Sequence, residues 1–420
     1  MILALALFAL TYVLILAFGK YRTYIALGSG LLFIITGMLS LDNIIPAIDF
    51  NVLLMIAGSM GLVQLFIDSK MPDLLAEIVI NKVKNAQMAA VALALFAGII
   101  SAFVDNVATV LMVAPVAIQI CKKLNTNPVP FIIGIAVSSN LQGAATLVGD
   151  TTAIMLGGEA GMSFLDFFWY EGKPSIFFAV ELGAVVSALI LAFIFRKEKQ
   201  PIPKQEATTK VTDYVPTVLL LAMLVFLIGA SFIENKTDIT NGLICCGLLV
   251  IGIIYNFAKN KTKESVIGPL KAIDLQTLGL LLGLFLMIGG ISEQGVIAKA
   301  AELLAKVGSG NEFLLFTVIV WFSVLISAFI DNIPYVATML PIITGLGINP
   351  TLLYFGLLSG ATLGGNCTPI GASANITGTA ILRKEGFEVK NKDFFKIGIP
   401  FTIAAVISSY VYLWIVYGTH

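Results

Sequence analysis

Apolar residues fall in fourteen runs: 2–18, 24–41, 49–67, 88–104, 107–121, 129–147, 175–195, 215–233, 240–257, 274–291, 314–330, 333–346, 351–363 and 396–417. A helix needs ~20 predominantly apolar residues to cross a bilayer, so most of these runs predict membrane spans. Two pairs are too short for that. Runs 88–104 and 107–121 are separated by Asp105-Asn106, and runs 314–330 and 333–346 by Asp331-Asn332. Each pair predicts a re-entrant helical hairpin with its Asp-Asn tip near mid-membrane, where protein or a water cavity must surround the non-helical backbone. One long helix kinked at each Asp-Asn is the alternative. Runs 129–147 and 351–363 lead into polar, glycine-rich sequence, Gly143 to Thr152 and Gly364 to Asn375. Glycine and proline break helices and release backbone polar groups, so both predict discontinuous spans.

The pattern occurs twice. Ser101-Ala102-Phe103-Val104-Asp105-Asn106 returns as Ser327-Ala328-Phe329-Ile330-Asp331-Asn332, at an offset of 226. Thr146-x-x-Gly149 matches Thr368-x-x-Gly371 at 222, and Ile48-Asp49 matches Ile273-Asp274 at 225. The chain therefore divides into repeats over 1–197 and 214–420, joined by a charged, proline-bearing linker over 198–213. The hairpins fall at about 88–121 and 314–346, the broken spans at about 129–157 and 351–384. Five spans plus one hairpin per half is an odd number, so the second half enters from the opposite face. The expected architecture is an all-α polytopic membrane protein: an inverted repeat of ten spans and two hairpins.

Charge orients it. With the linker in the cytoplasm, 21 of the 25 Lys and Arg fall on that side, including Lys20 and Arg22 between the first two runs. Lys173, Lys236, Lys299 and Lys306 remain outside, in accord with the positive-inside rule, and both termini are then outside. The N-terminal run lacks a basic n-region and a cleavage site, and reads as a first span.

Composition narrows the function. Hydrophobic residues make up 58% and charged residues 12%, where globular chains carry about 25% charged. Mean hydropathy is +0.97. Net charge is zero, which gives no basis for a nucleic-acid partner. The four cysteines have no metal or CxxC spacing. The single histidine is His420, which leaves no histidine proton relay in the apolar core.

An aspartate in a bilayer costs about 2.5–3.5 kcal/mol on insertion scales, so one kept there is a functional candidate. Asp105, Asn106, Asp331 and Asn332 would meet near the midplane from opposite faces. The broken spans would add Thr146, Asp150, Thr151 and Thr152 from one half, and Asn366, Thr368, Ser373 and Asn375 from the other. Oxygen-rich side chains with released carbonyls suit a hard cation, so Asp105 and Asp331 are candidate Na⁺ ligands. No Lys or Arg lies in either tip or in the polar breaks Gly143 to Thr152 and Gly364 to Asn375, which tilts the site away from a polyanion. Desolvation and a neighbouring carboxylate both disfavour the charged form of such an aspartate, which suits exchange of a proton for a cation. The other reading is that Asp105 and Asp331 cap the helices that follow them. For Asp150, capping and binding stand equal.

Asp105-Asn106-Val107-Ala108-Thr109-Val110-Leu111, its counterpart Asp331 to Met339, and the segments Ser139 to Asp150 and Gly364 to Asn375 resemble the four motifs of the ArsB/NhaD group of the ion transporter superfamily. That group includes arsenite effluxers, NhaD-type sodium/proton antiporters, plant silicon effluxers and the P protein. The resemblance implies an elevator mechanism and a homodimer. One departure stands out: Thr151-Thr152-Ala153 replaces a Pro-Pro-Asn common in the group, which removes an amide ligand on that side. Relatives that move dicarboxylates carry Ser-Asn-Thr at the tips, where this chain has Asp-Asn.

The expected protein is a secondary transporter of a small inorganic ion in the cell membrane, without a cofactor. Na⁺/H⁺ antiport leads, with Na⁺ or H⁺ as coupling ion. Proton-driven efflux of arsenite, silicate or another weak acid, or Na⁺-coupled organic anion transport, is the alternative. An intramembrane enzyme is disfavoured because the core lacks His, a Ser-Lys motif and a paired-Asp motif.

Overall fold

The computed structural model describes residues 1–202, 209–308 and 310–418. His420 and linker residues 203–208 lie outside the described residues. The first half runs α1 (Ile2–Ala17), α2 (Arg22–Ile35), α3 (Ile44–Ala47), α4 (Phe50–Asp68) and α5 (Met71–Asn81). It continues with α6 (Ala86–Ser101), α7 (Asn106–Leu124), α8 (Val129–Gly143), α9 (Thr151–Ala160) and α10 (Ile176–Ile194). The second half runs α11 (Val215–Ala230), α12 (Thr240–Asn260), α13 (Glu264–Lys271), α14 (Leu275–Glu293) and α15 (Val296–Gly308). It ends with α16 (Glu312–Ser327), α17 (Asn332–Thr344), α18 (Thr351–Gly364), α19 (Ser373–Lys384) and α20 (Asn391–Tyr417). Each of α1 to α10 has a counterpart ten helices later. A two-stranded turn, β1 (Trp169–Tyr170) with β2 (Lys173–Pro174), precedes α10.

The same chemistry starts corresponding helices. Asp49 caps α4 through Val52 N–H (2.9 Å), and Asp274 caps α14 through Gln276 N–H (2.9 Å) and Thr277 N–H (3.2 Å). Asn85 caps α6 and Asn311 caps α16 in the same way. Each cap satisfies amides that the first helical turn leaves without partners.

By length and composition, α4, α7, α10, α12, α14 and α20 can each cross a bilayer alone. The pairs α1 with α2 and α15 with α16 reach that length only together, with a bend of 114° in the first pair. Among the described residues this gives six spans, or eight with each bent pair counted as one span. The expected spans 2–18 and 24–41 are helices of 16 and 14 residues, interrupted where Lys20 and Arg22 break the apolar run. The expected hairpins and broken spans do break where the polar residues fall, at 102–105, 144–150, 328–331 and 365–372.

Packing crosses between the halves. α4 lies against α12 and α14 against α2, while α6 packs on α8, α16 on α18, and α10 on α20. Glycine permits the first two approaches. A Cβ on Gly58 would come within 2.5 Å of the Cys245 backbone, and one on Gly283 within 2.4 Å of the Ala26 backbone. Close helix contact through small residues is how helices associate where lipid removes the hydrophobic drive. The centre belongs to α8 and α18: all of α18 and all of α8 except Pro130 are buried. Large apolar side chains such as Leu31, Leu189, Phe226, Ile254 and Ile415 face outward, as lipid contact requires.

Candidate functional site

Each of the two tips is a short turn whose last residue starts a helix. Asp105 Oδ1 accepts from the N–H groups of Val107 (3.0 Å) and Ala108 (3.1 Å), and Asp331 Oδ1 accepts from Ile333 N–H (3.2 Å). Both aspartates cap. Their second oxygens differ. Asp331 Oδ2 is ion-paired with Nη1 of Arg22, at the start of α2. Asp105 borders a cavity, and its Oδ2 has no hydrogen bond among the described residues.

The Thr-x-x-Gly repeats sit behind the tips. Thr146 donates to the carbonyl of Ala102, and Thr368 to that of Ala328 (2.5 Å). A Cβ on Gly149 would lie 2.7 Å from Ser101 O and 2.8 Å from Ala102 O; on Gly371 it would lie 2.8 Å from Ser327 O and 3.0 Å from Ala328 O. Only a residue without a side chain lets each broken helix approach its tip this closely.

A chain of amides links the halves. Asn106 Nδ2 donates to Asn140 Oδ1 (3.1 Å), Asn140 Nδ2 to Asn366 Oδ1 (3.0 Å) and Thr362 O (2.6 Å), and Asn366 Nδ2 to Val137 O (3.0 Å). On the other tip, the Asn332 nitrogen donates to Ala361 O and Gly371 O, 3.2 Å each. Asp150 stands at the N-cap position of α9, yet its side chain makes no capping hydrogen bond. Its Oδ2 accepts instead from Thr152 Oγ1 (2.9 Å), which also meets Thr362 Oγ1 (3.0 Å).

These groups enclose a cavity of about 270 Å³, bordered by Asp105, Asn106, Asp150, Thr151, Asp331, Asn332 and Ser373. Seven of the residues expected at the site thus converge. Thr146, Asn366, Thr368 and Asn375 do not reach it, because their side chains bind backbone and amide groups behind the tips and the broken helices; Asn375 Nδ2 donates to Gly365 O and Thr368 O (3.0 Å each). Asn140, Asp274 and Thr277 line the cavity as well, the last two from the start of α14.

One expectation needs correction. A cationic side chain does lie at a tip: Arg22, counted from the sequence as a loop charge, reaches Asp331 from a distant part of the chain. The sequence signal was the residue type. Arg22 is one of only three arginines (with Arg196 and Arg383), and it sits between two apolar runs. Among the described residues, no group of three or more His, Cys, Asp or Glu side chains is placed to hold a metal ion.

The family model described as "Citrate transporter" matches residues 12–347, and again 243–419. The chain belongs to the citrate transporter family. An uncharacterized transporter of Mycobacterium tuberculosis is 28% identical over 428 residues, 99% of each chain. The human P protein is 26% identical over 496 residues, covering 98% of this chain and 59% of its own length. That relative agrees with the resemblance read from the motifs. Among solved structures, the YdaH transporter of Alcanivorax borkumensis has a TM-score of 0.61 at 12% identity, over 89% of this chain and 87% of that one. MtrF of Neisseria gonorrhoeae, described with a class of antimetabolite efflux pumps, gives 0.58 at 17% identity, over 92% and 84%. These similarities establish the transporter fold of this citrate transporter family member.

Proposed function

We propose that this protein is an ion-coupled secondary transporter that exchanges Na⁺ for H⁺ at Asp105 and Asp150. One observation carries the reading: four carboxylates, Asp105, Asp150, Asp274 and Asp331, border a single cavity; Asp274 is engaged in capping α14, and Arg22 offsets only the charge of Asp331. Asp105 and Asp150 remain without a cationic side chain, and two carboxylates in a low-dielectric setting call for protons or a bound cation. Amide and hydroxyl oxygens of Asn106, Asn140, Thr151 and Ser373 supply the further ligands that a hard cation takes.

The halves act as inverted repeats, with the tips on re-entrant hairpins that enter from opposite faces. Hairpins and broken helices move as one transport unit against a scaffold containing α2, α4, α12 and α14, in an elevator motion within a homodimer. The linker is cytoplasmic and both termini are outside, as the distribution of Lys and Arg favours.

A second reading has its own support. Arg22 gives the site a guanidinium that a carboxylate substrate could take from Asp331, and the family carries the description "Citrate transporter". The test is the purified protein in liposomes with an internal pH dye, given Na⁺, Li⁺, K⁺, arsenite or citrate in turn. A dye response to Na⁺ or Li⁺, lost in Asp105→Asn and Asp150→Asn, supports antiport. No cation response, with citrate or arsenite uptake intact in those variants, overturns it.

A further inference from the structure

The scaffold presents two cavities, one at each end of α4 and α14, and corresponding residues line them. Met60, Val63 and Asp274 border the 270 Å³ cavity, while Phe285, Ile288 and Asp49 border the other, of about 720 Å³. These are the same positions of the repeat exchanged between halves. The helices packed against α4 and α14 follow the same relation. Gly283 meets Ala26 and Leu27 where Gly58 meets Cys245 and Cys246. Thr23 Oγ1 donates to Gln276 O (2.8 Å), and at the matching place Gly242 N–H donates to Asn51 Oδ1 (2.8 Å).

That register sets Arg22 against Asn241. Arg22 holds Asp331 beside the smaller cavity, whereas Asn241 borders the larger one. The two ends thus match in register but not in volume, and the matched position carries a guanidinium at one end and a neutral amide at the other; Lys236, which also borders the larger cavity, donates its Nζ to Ala230 O (3.4 Å). Both oxygens of Asp331 are occupied here, Oδ1 by Ile333 N–H and Oδ2 by Arg22. Side-chain exposure is 27% for Arg22 and 19% for Asp331, so solvent screens the pair incompletely.

We propose that Arg22 is an internal counter-cation: when the site faces the smaller cavity it withholds Asp331 from the cation held at Asp105 and Asp150, and so drives release on that side. When the tips face the larger cavity, Asp331 leaves Arg22 and Asp105 approaches Asn241, which carries no charge. Asp105, Asp150 and Asp331 are then open to protons or Na⁺. One fixed guanidinium therefore makes cation affinity differ between the two faces while the ligand set stays the same. Arg22 is a positioning and coupling residue that acts through Asp331, and the inference rests on the cation/proton reading above.

The test combines Na⁺ titration calorimetry on the purified full chain with Na⁺-driven dye response in liposomes. Arg22→Gln removes the competing pair and is expected to tighten Na⁺ binding by about tenfold, equivalent to about 1.4 kcal/mol, while slowing exchange through slower release. Arg22→Lys keeps the charge and is expected to stay near the wild type in both readouts. Asn241→Arg places the same charge at the opposite end and is expected to weaken Na⁺ binding; it stands as an independent test if Arg22→Gln does not fold. A responsive wild type with unchanged affinity in Arg22→Gln, or in Asn241→Arg, removes the role of Arg22 alone. A wild type without any Na⁺ response removes the cation reading and this inference with it.

Discussion

Thr152 donates its hydroxyl to Asp150 at 2.9 Å, and Asp150 caps no amide of the helix it begins. The carboxylate borders the cavity and makes no capping hydrogen bond to the helix end. Asp150→Asn is expected to abolish Na⁺-dependent proton movement in liposomes. Thermal unfolding should move little, since no cap is lost and a charge leaves a buried position. A variant that unfolds early but still exchanges protons would contradict this assignment.

Asp105 has two jobs that substitution can separate. Asparagine preserves an N-cap acceptor and removes the charge, whereas alanine removes both. Asp105→Ala should cost about 1 kcal/mol of stability beyond Asp105→Asn, the usual worth of a cap. Both should be inactive in exchange. Equal stability of the two variants, measured by thermal unfolding in one detergent, would show that the cap is not what holds the start of α7.

Gly149 and Gly371 make the same close approach in different halves. Gly149→Ala and Gly371→Ala are each expected to destabilise by about 1–3 kcal/mol, because the new Cβ meets backbone carbonyls that cannot turn aside. The check is the unfolding temperature of each purified variant. A neutral alanine at either position would mean that its broken helix does not depend on tight contact with its tip.

Thr146→Val and Thr368→Val retain shape and lose the hydroxyls that bind Ala102 O and Ala328 O. Leaving a buried acceptor without its donor costs about 1–3 kcal/mol. Since neither threonine reaches the cavity, Na⁺ affinity by titration calorimetry should remain near the wild type while stability falls. A large loss of affinity at unchanged stability would return both threonines to the ligand set.

Much of this arrangement is legible in the chain because polar residues in an apolar chain are rare and costly. Ser101 to Asn106 and Ser327 to Asn332 mark both helix breaks, and Asp49 and Asp274 mark equivalent helix starts. The alternatives left open at the tips are decided by hydrogen bonds: Asp105 and Asp331 do cap, and Asp150 does not. Which of the threonines and asparagines face the cavity was not legible. Thr146 and Thr151 are five residues apart and chemically alike, yet one turns to a backbone carbonyl and the other to the cavity.

The sequence by itself determined a membrane transporter built from two like halves, with its costly polar residues at helix breaks. Apolar periodicity, the bilayer's length requirement and the penalty on buried charge act locally, so they can be read along the chain. Only the tertiary structure decided that Arg22 pairs with Asp331, 309 positions away, and that Asn140 joins Asn106 to Asn366. Those contacts depend on how the halves pack across each other, and spacing along the chain carries no record of that.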